Sequence, residues 1–476
     1  MRTLKSHDSL VLRFTHRCAY RVYNAHKAKP NATKLIPVIV NVTNITKIKQ
    51  YEIPEFPKYP YGVPFPYCQL LLEEKPNRQL YRFAYKWRPP DRYKYESELG
   101  RLASNCSNFR KEFWFPNEPR SQEEADYPLA YVILVHRYCE QVLRLLQAIY
   151  WPQNIYCIHI DADASKTFRQ AIINAANCLP NVFIASKSFT VTWAEFSVLQ
   201  AALTCLGDLT REAYRVPWRY VQIYSGNDFP LRTNRELVNI FKILNGSNDC
   251  ELTMANVDLF VWNLYKKGEK YWKYGFRRIP PHNATIYKGG FQVAVTQEFV
   301  HFALTDAKAQ DILYYIKDCL VPDESFFSTL IHNTHLGAPG NFPGACVHYY
   351  AQSNNEKPNF SRYQSWPEGQ LRICHSQKWI HGSCVYGIRD LPTLRKRFEL
   401  TAHKFDWKFE PGALRCLAEL IFNATWLNAN DELYNSTMLN VYRQLPPVVY
   451  QRMSDKSKFH CDATIHSVES HSYTSE

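Results

Sequence analysis

The chain has 476 residues, 46% of them apolar and 15% aromatic, enough to bury one large core or two smaller ones. Its formal charge of +13 leaves nucleic acid, a membrane surface or an anionic small substrate as partners. The Lys and Arg residues are dispersed and no RNA-binding signature accompanies them, which argues against nucleic acid.

Residues 1–60 are polar, basic and rich in sequons, and read as a stem. They hold no apolar run near the 18 to 20 residues that cross a bilayer; residues 35–40 are too short and include Pro37. No signal peptide is evident. Residues 52–67 contain five Pro and cannot be helix or central strand. A βαβ unit is predicted next: an apolar strand at 129–135, an amphipathic run with Val142, Leu145, Leu146 and Ile149 on one face, a stop at Pro152, and a second strand at 155–160 running into Asp161. Ligands of such parallel sheets lie beyond the carboxyl ends of the strands, which places Leu134, Val135, His136 and Asp161 at a nucleotide site. Further strands are expected at 181–185 and 220–224, with a helix from about 196 to 206. Thr233 to Glu236 is a capping box opening a helix with Leu237, Ile240, Phe241 and Leu244 inside, ended by Asn245-Gly246. Residues 453–476 are polar and read as disordered.

Fourteen Cys and nine sequons, at Asn31, Asn41, Asn44, Asn105, Asn245, Asn283, Asn359, Asn423 and Asn435, point to the secretory lumen. No Cys-x-x-Cys pair indicates zinc. Asp161-Ala162-Asp163 has the Asp-x-Asp form of metal-dependent glycosyltransferases. Glu324 follows Pro322-Asp323 and precedes Phe326, Phe327, Leu330 and Ile331; it reads either as a carboxylate against an apolar wall or as a first-turn acid complementing a helix dipole. Asp323 reads as a cap or structural acid, and Asp228 as a loop cap or an orienting residue.

The runs YPLAYVILVHRYCEQVLRLLQAIYWPQNIYCIHID, SGNDFPLRTNREL, VPDESFFSTLI and FELTAHKFD, spread over roughly residues 60–430, resemble the core-2/I-branching β-1,6-N-acetylglucosaminyltransferase family. The resemblance implies a GT-A-like α/β fold with a disulfide-tied N-terminal stem region. It divides the chain into a stem (1–60), a disulfide-tied stem-proximal region (61–126), a catalytic domain (127–430) and a C-terminal extension (431–476). It implies bridges Cys68–Cys416, Cys106–Cys178, Cys157–Cys205 and Cys374–Cys384, and leaves Cys18, Cys139, Cys250, Cys319, Cys346 and Cys461 unassigned. It implies Glu324 as general base, Lys404 as the charge facing the diphosphate, and Asp161 on the uridine and ribose. On these grounds we expect no metal at Asp161 and Asp163. Trp193 stands where the family has a tyrosine against the nucleotide, although a core Trp fits as well. His381 replaces a family arginine, with Lys378 or Arg389 as substitutes for its charge. Glu251, Tyr363 and Trp366 match the acceptor side, while Leu259 and Trp262 replace a lysine and an arginine there.

The activity so implied is inverting, metal-independent transfer of a β-1,6-linked sugar, GlcNAc from UDP-GlcNAc or else glucose from UDP-glucose, to mucin-type O-glycans. The family's members are Golgi type II membrane proteins, so we expect the natural chain to begin upstream with an anchor. Dimerisation is left open. Two other readings remain: a peptide O-xylosyltransferase of a related class, and an inactive glycan-binding luminal protein.

Overall fold

The computed structural model describes residues 68–73, 78–88, 96–213, 215–255, 278–348, 359–367, 373–426 and 439–461, with the backbone of strands at 12–13, 263–267 and 270–274. Apart from that first strand the expected stem lies outside the described residues, as do Cys18, Leu259, Trp262, the sequons at Asn31, Asn41, Asn44 and Asn435, and the tail beyond 461.

Among the helices that precede the sheet are α1 (Glu96–Ala103) and α2 (Cys106–Phe113). The core then runs β1 (Leu129–Val135), α3 (Cys139–Ile149), β2 (Ile155–Ile160), α4 (Lys166–Asn177), β3 (Val182–Ile184), α5 (Phe196–Arg211), β4 (Tyr220–Ser225), β5 (Asp228–Pro230) and α6 (Asn234–Leu244). Short strands β6 (Thr253–Met254) and β7 (Tyr287–Lys288) pair with each other and are followed by β8 (Ala294–Thr296), α7 (Gln297–Thr305), α8 (Ala307–Ile316) and α9 (Phe326–His332). Strands β9 (Arg362–Tyr363), β10 (Trp379–Ile380), β11 (Ser383–Cys384) and β12 (Thr401–His403) precede α10 (Pro411–Trp426).

The main sheet has the order β8-β4-β1-β2-β3, with β8 antiparallel to β4 and the rest parallel. Its strands are predominantly apolar because both faces are covered, with His159 and Gln222 buried among the apolar residues. Ala130, Val132, Ile155, Cys157, Val221 and Ile223 pack on one face against α5, α7, α8 and α9. Their alternates Leu129, Tyr131, Ile133, Tyr156, Ile158, Tyr220 and Tyr224 pack on the other against α3, α4 and α6. The central sheet between helical layers is the mixed α/β architecture expected.

The capping box at Thr233 and Glu236 forms, and Asn245 ends α6 in the left-handed region. A second sheet, β9-β12-β5, sits at the carboxyl edge of the first. A third cluster joins it to Cys68, Leu71, Leu72, Leu414 and Leu417. The four implied bridges are present. A fifth, Cys346–Cys461, pairs two cysteines that the sequence reading left unassigned. Cys139, Cys250 and Cys319 are buried thiols. Part of the C-terminal stretch is packed: Tyr442, Leu445 and Val448 enter one core cluster and Tyr450 the other. Residues expected to be disordered begin at 453, but 453–461 include the 3-10 turn Lys456–Lys458 and the bridged Cys461.

Candidate active site

The parallel register of β1 and β2 brings Val135 beside Ile160, so both strands end at one level. There the Val135 carbonyl accepts the Asp161 N–H at 2.9 Å, and the Leu134 carbonyl accepts Gly226 N–H at 2.8 Å. His136 projects beyond them, its pKa lowered by burial and by Arg137, with Asp161 opposing. The Asp161 carboxylate accepts N–H groups of Asp163 (2.8 Å) and Val191 (3.3 Å). Asp163 accepts the Thr190 hydroxyl at 2.9 Å, and Ala162 donates to Phe189 at 2.8 Å. The Asp-Ala-Asp turn thereby ties down residues 189–191. Trp193 follows, 58% exposed, so it is not a core residue. Its neighbour Ala194 accepts Val321 N–H at 3.0 Å, joining this loop to the turn that carries Glu324.

Across from β1, Lys404 leaves the end of β12 and donates to the Ile380 carbonyl at 2.6 Å. Burial pushes its pKa down to about 8, helped by Arg137 and opposed by Asp406. Ile380 ends one strand of a hairpin whose two turn residues, His381 and Gly382, have φ of 50° and 73°, as a two-residue I′ turn requires. A Cβ at Gly382 would touch the Trp366 ring at 3.4 Å, so Trp366 sits under the turn holding His381. His403 donates its Nδ1–H to Asp228 at 2.7 Å. Burial raises the Asp228 pKa, but His403 and the Ser225 N–H outweigh it and leave the carboxyl below its usual range. Asp228 thus orients the residue before Lys404.

Glu324 lies on a 3-10 turn, Pro322–Glu324, leading into α9, whose Phe326, Phe327, Leu330 and Ile331 are buried. Its carboxylate pairs with Lys288 at 2.9 Å, and its carbonyl accepts Gly289 N–H at 2.6 Å. One turn along α9, the Ser328 hydroxyl donates to the Glu251 carbonyl at 3.0 Å. A Cβ on Gly289 would lie 2.2 Å from that carbonyl, so glycine alone permits this approach. A Cβ on Gly290 would lie 3.5 Å from Glu251 Oε2 and 3.4 Å from Arg362 Nη2, which places both groups against it. Arg362 donates to Gln292, and Gln292 reaches Asp228 at 3.3 Å. Polar contacts therefore connect the two halves of the site. Burial and the Glu324 charge raise the Asp323 carboxyl. Asp323 caps no helix: its Oδ1 is buried without a hydrogen-bond partner among the described residues.

The family model described as Core-2/I-Branching enzyme matches residues 129–395. That span covers more than half of the chain. The chain belongs to the core-2/I-branching enzyme family. Among its relatives is the Rattus norvegicus protein named beta-1,3-galactosyl-O-glycosyl-glycoprotein beta-1,6-N-acetylglucosaminyltransferase 3, 33% identical over 68% of this chain and 75% of the relative. Another is the Mus musculus N-acetyllactosaminide beta-1,6-N-acetylglucosaminyl-transferase, 36% identical over 69% and 80%. The Homo sapiens protein of that second name is 35% identical over the same shares. This family member is accordingly a glycosyltransferase.

Within that framework Glu324 and Glu251 converge, as do Asp161, His136, Lys404 and the His381 hairpin. Tyr363 is a correction. It is 4% exposed, its ring stacked on Tyr386 at 5.5 Å and covered by Arg397 at 4.2 Å, so it faces the core rather than a sugar. Arg389 lies over Tyr81 and Tyr85, at 5.7 and 5.3 Å, in the N-terminal region. Lys288, Gln292 and Arg362 were not anticipated. The Lys-Gly-Gly run at 288–290 was the available signal, because paired glycines mark close backbone approach.

Proposed function

We propose that this enzyme transfers N-acetylglucosamine from UDP-GlcNAc, with inversion, to form a β-1,6 branch on mucin-type O-glycans. The observation that carries the reading is the Glu324 carboxylate, held by Lys288 at 2.9 Å on a turn leading into α9, whose Ser328 bonds the Glu251 carbonyl. In the proposed step the Glu324 carboxylate takes the proton of the acceptor hydroxyl as its oxygen bonds to the anomeric carbon. The anomeric carbon–oxygen bond breaks, and its electron pair leaves on the diphosphate. Lys404 balances that charge. Glu251 is the proposed acceptor ligand; Asp161, Trp193 and the β1 end are proposed to hold the nucleotide.

We further propose that no metal takes part. The Asp161 carboxylate already accepts two backbone N–H groups and Asp163 a hydroxyl, and Lys404 supplies the counter-charge. The setting is the secretory pathway, supported by the five bridges, with Golgi membrane attachment through a segment other than the described helices, none of which is long and apolar enough to cross a bilayer.

Competition between UDP-GlcNAc, UDP-glucose and UDP-xylose on a core-1 acceptor, with and without excess EDTA, tests the reading. Preferred use of UDP-GlcNAc, unchanged by chelation, is expected. Exclusive transfer of xylose to a Ser-Gly peptide would replace it with a peptide O-xylosyltransferase. Activity lost to EDTA and restored by Mn²⁺ would make Asp161 and Asp163 a metal site.

A further inference from the structure

We infer that Arg137 is a second leaving-group cation, its guanidinium joining Lys404 around the donor diphosphate where His381 has displaced an arginine. The inference rests on the UDP-sugar reading above. Arg137 stands two residues past the end of β1, on the short link into α3. Its guanidinium carbon lies 4.8 Å from the centroid of the Tyr138 ring, and Lys408 Nζ approaches the same ring at 5.4 Å.

The Lys404–Lys408 loop is bolted to this link. Gln141, in the first turn of α3, donates to Gly226 O at 2.8 Å and Phe405 O at 3.2 Å and accepts Trp407 N–H at 2.8 Å. Three cations are thereby gathered beside the carboxyl end of β1. Asp406 is the acid acting on Lys404, and Arg137 reduces the proton affinity of both Lys404 and His136. Like charges held together in this way repel until an anion arrives between them. A diphosphate, with oxygens to offer both cations, fits better than a single carboxylate.

Two other candidates for the missing charge do not serve. Arg389 is engaged with Tyr81 and Tyr85. His381 is cationic only when protonated. Arg137 instead stands just past the end of β1, near enough to lower the proton affinity of Lys404.

The test is titration of UDP, and separately of uridine, into the wild-type enzyme, Arg137→Ala and Arg137→Ala/His381→Arg, alongside steady-state kinetics. Arg137→Ala is expected to weaken UDP binding and donor kcat/KM about tenfold or more, on the scale of one charge-assisted contact. Uridine affinity, acceptor KM and Tm should stay near wild type. Adding His381→Arg should recover most of the UDP affinity. Wild-type UDP affinity in Arg137→Ala, or equal losses for UDP and uridine, would overturn the inference while leaving the donor reading in place. Failure of the wild-type enzyme to bind UDP would overturn both.

Discussion

Glu324 is already paired, and Lys288 fixes which way its carboxylate points. Glu324→Gln keeps the shape but cannot take a proton. We expect turnover to fall a hundredfold or more with UDP affinity and Tm retained, as measured by initial rates, titration and calorimetry. Lys404 gives a pH signature. Its pKa is depressed to about 8, so it is charged below that pH and neutral above it. If Lys404 faces the diphosphate as proposed, only its charged form serves, so UDP affinity should be full below about pH 8 and decline as pH rises through it. Lys404→Arg should flatten that decline, since a guanidinium stays charged. Titration of UDP at pH 7, 8 and 9 checks both.

At the scale of elements, β1 and β2 were legible to the residue because a strand covered on both faces is a nearly continuous apolar run. The α6 cap was legible for a local reason: Thr233 and Glu236 satisfy each other's backbone within one turn. What escaped lies on two-residue strands. Lys288 and Arg362 belong to β7 and β9, too short to show any period, and they meet Glu324 and Gln292 only through the tertiary fold. Tyr363 misled for the same reason, since one residue on from Arg362 the chain already points inward. Its neighbour loop is held by Asp249, which accepts the N–H groups of Phe360 and Ser361 and the Ser361 hydroxyl. Burial raises the Asp249 carboxyl from 3.8 to about 7 against those bonds. A pKa higher folded than unfolded makes this group's contribution greatest at low pH and progressively lost as pH rises toward 7. Asp249→Ala should cost about 3 kcal/mol by leaving buried donors without an acceptor, and lower activity by loosening Arg362. Asp249→Asn should remove the acid-side dependence. Urea unfolding at pH 5 and pH 8 separates the two effects.

For the whole molecule, the bridge Cys346–Cys461 fastens the C-terminal stretch to the segment that follows α9. Its pairing was not legible, because spacing does not give connectivity. Replacing both cysteines with Ser should lower stability by about 2 to 4 kcal/mol, the usual scale for a long closed loop, with Glu324 chemistry preserved in the folded fraction. Thermal unfolding against wild type, together with kcat of the active fraction, measures this. The longer bridge has a consequence for how the protein is made. Cys68 waits for Cys416, 348 residues later. At ribosomal speeds of about 5 to 20 residues per second, that is roughly 17 to 70 s during which, in the proposed luminal setting, an unpaired thiol would wait while Cys106, Cys157 and Cys178 emerge past it. In that setting, maturation of this enzyme should depend on isomerase capacity, and the yield of folded protein should track that capacity more closely than the transcript level.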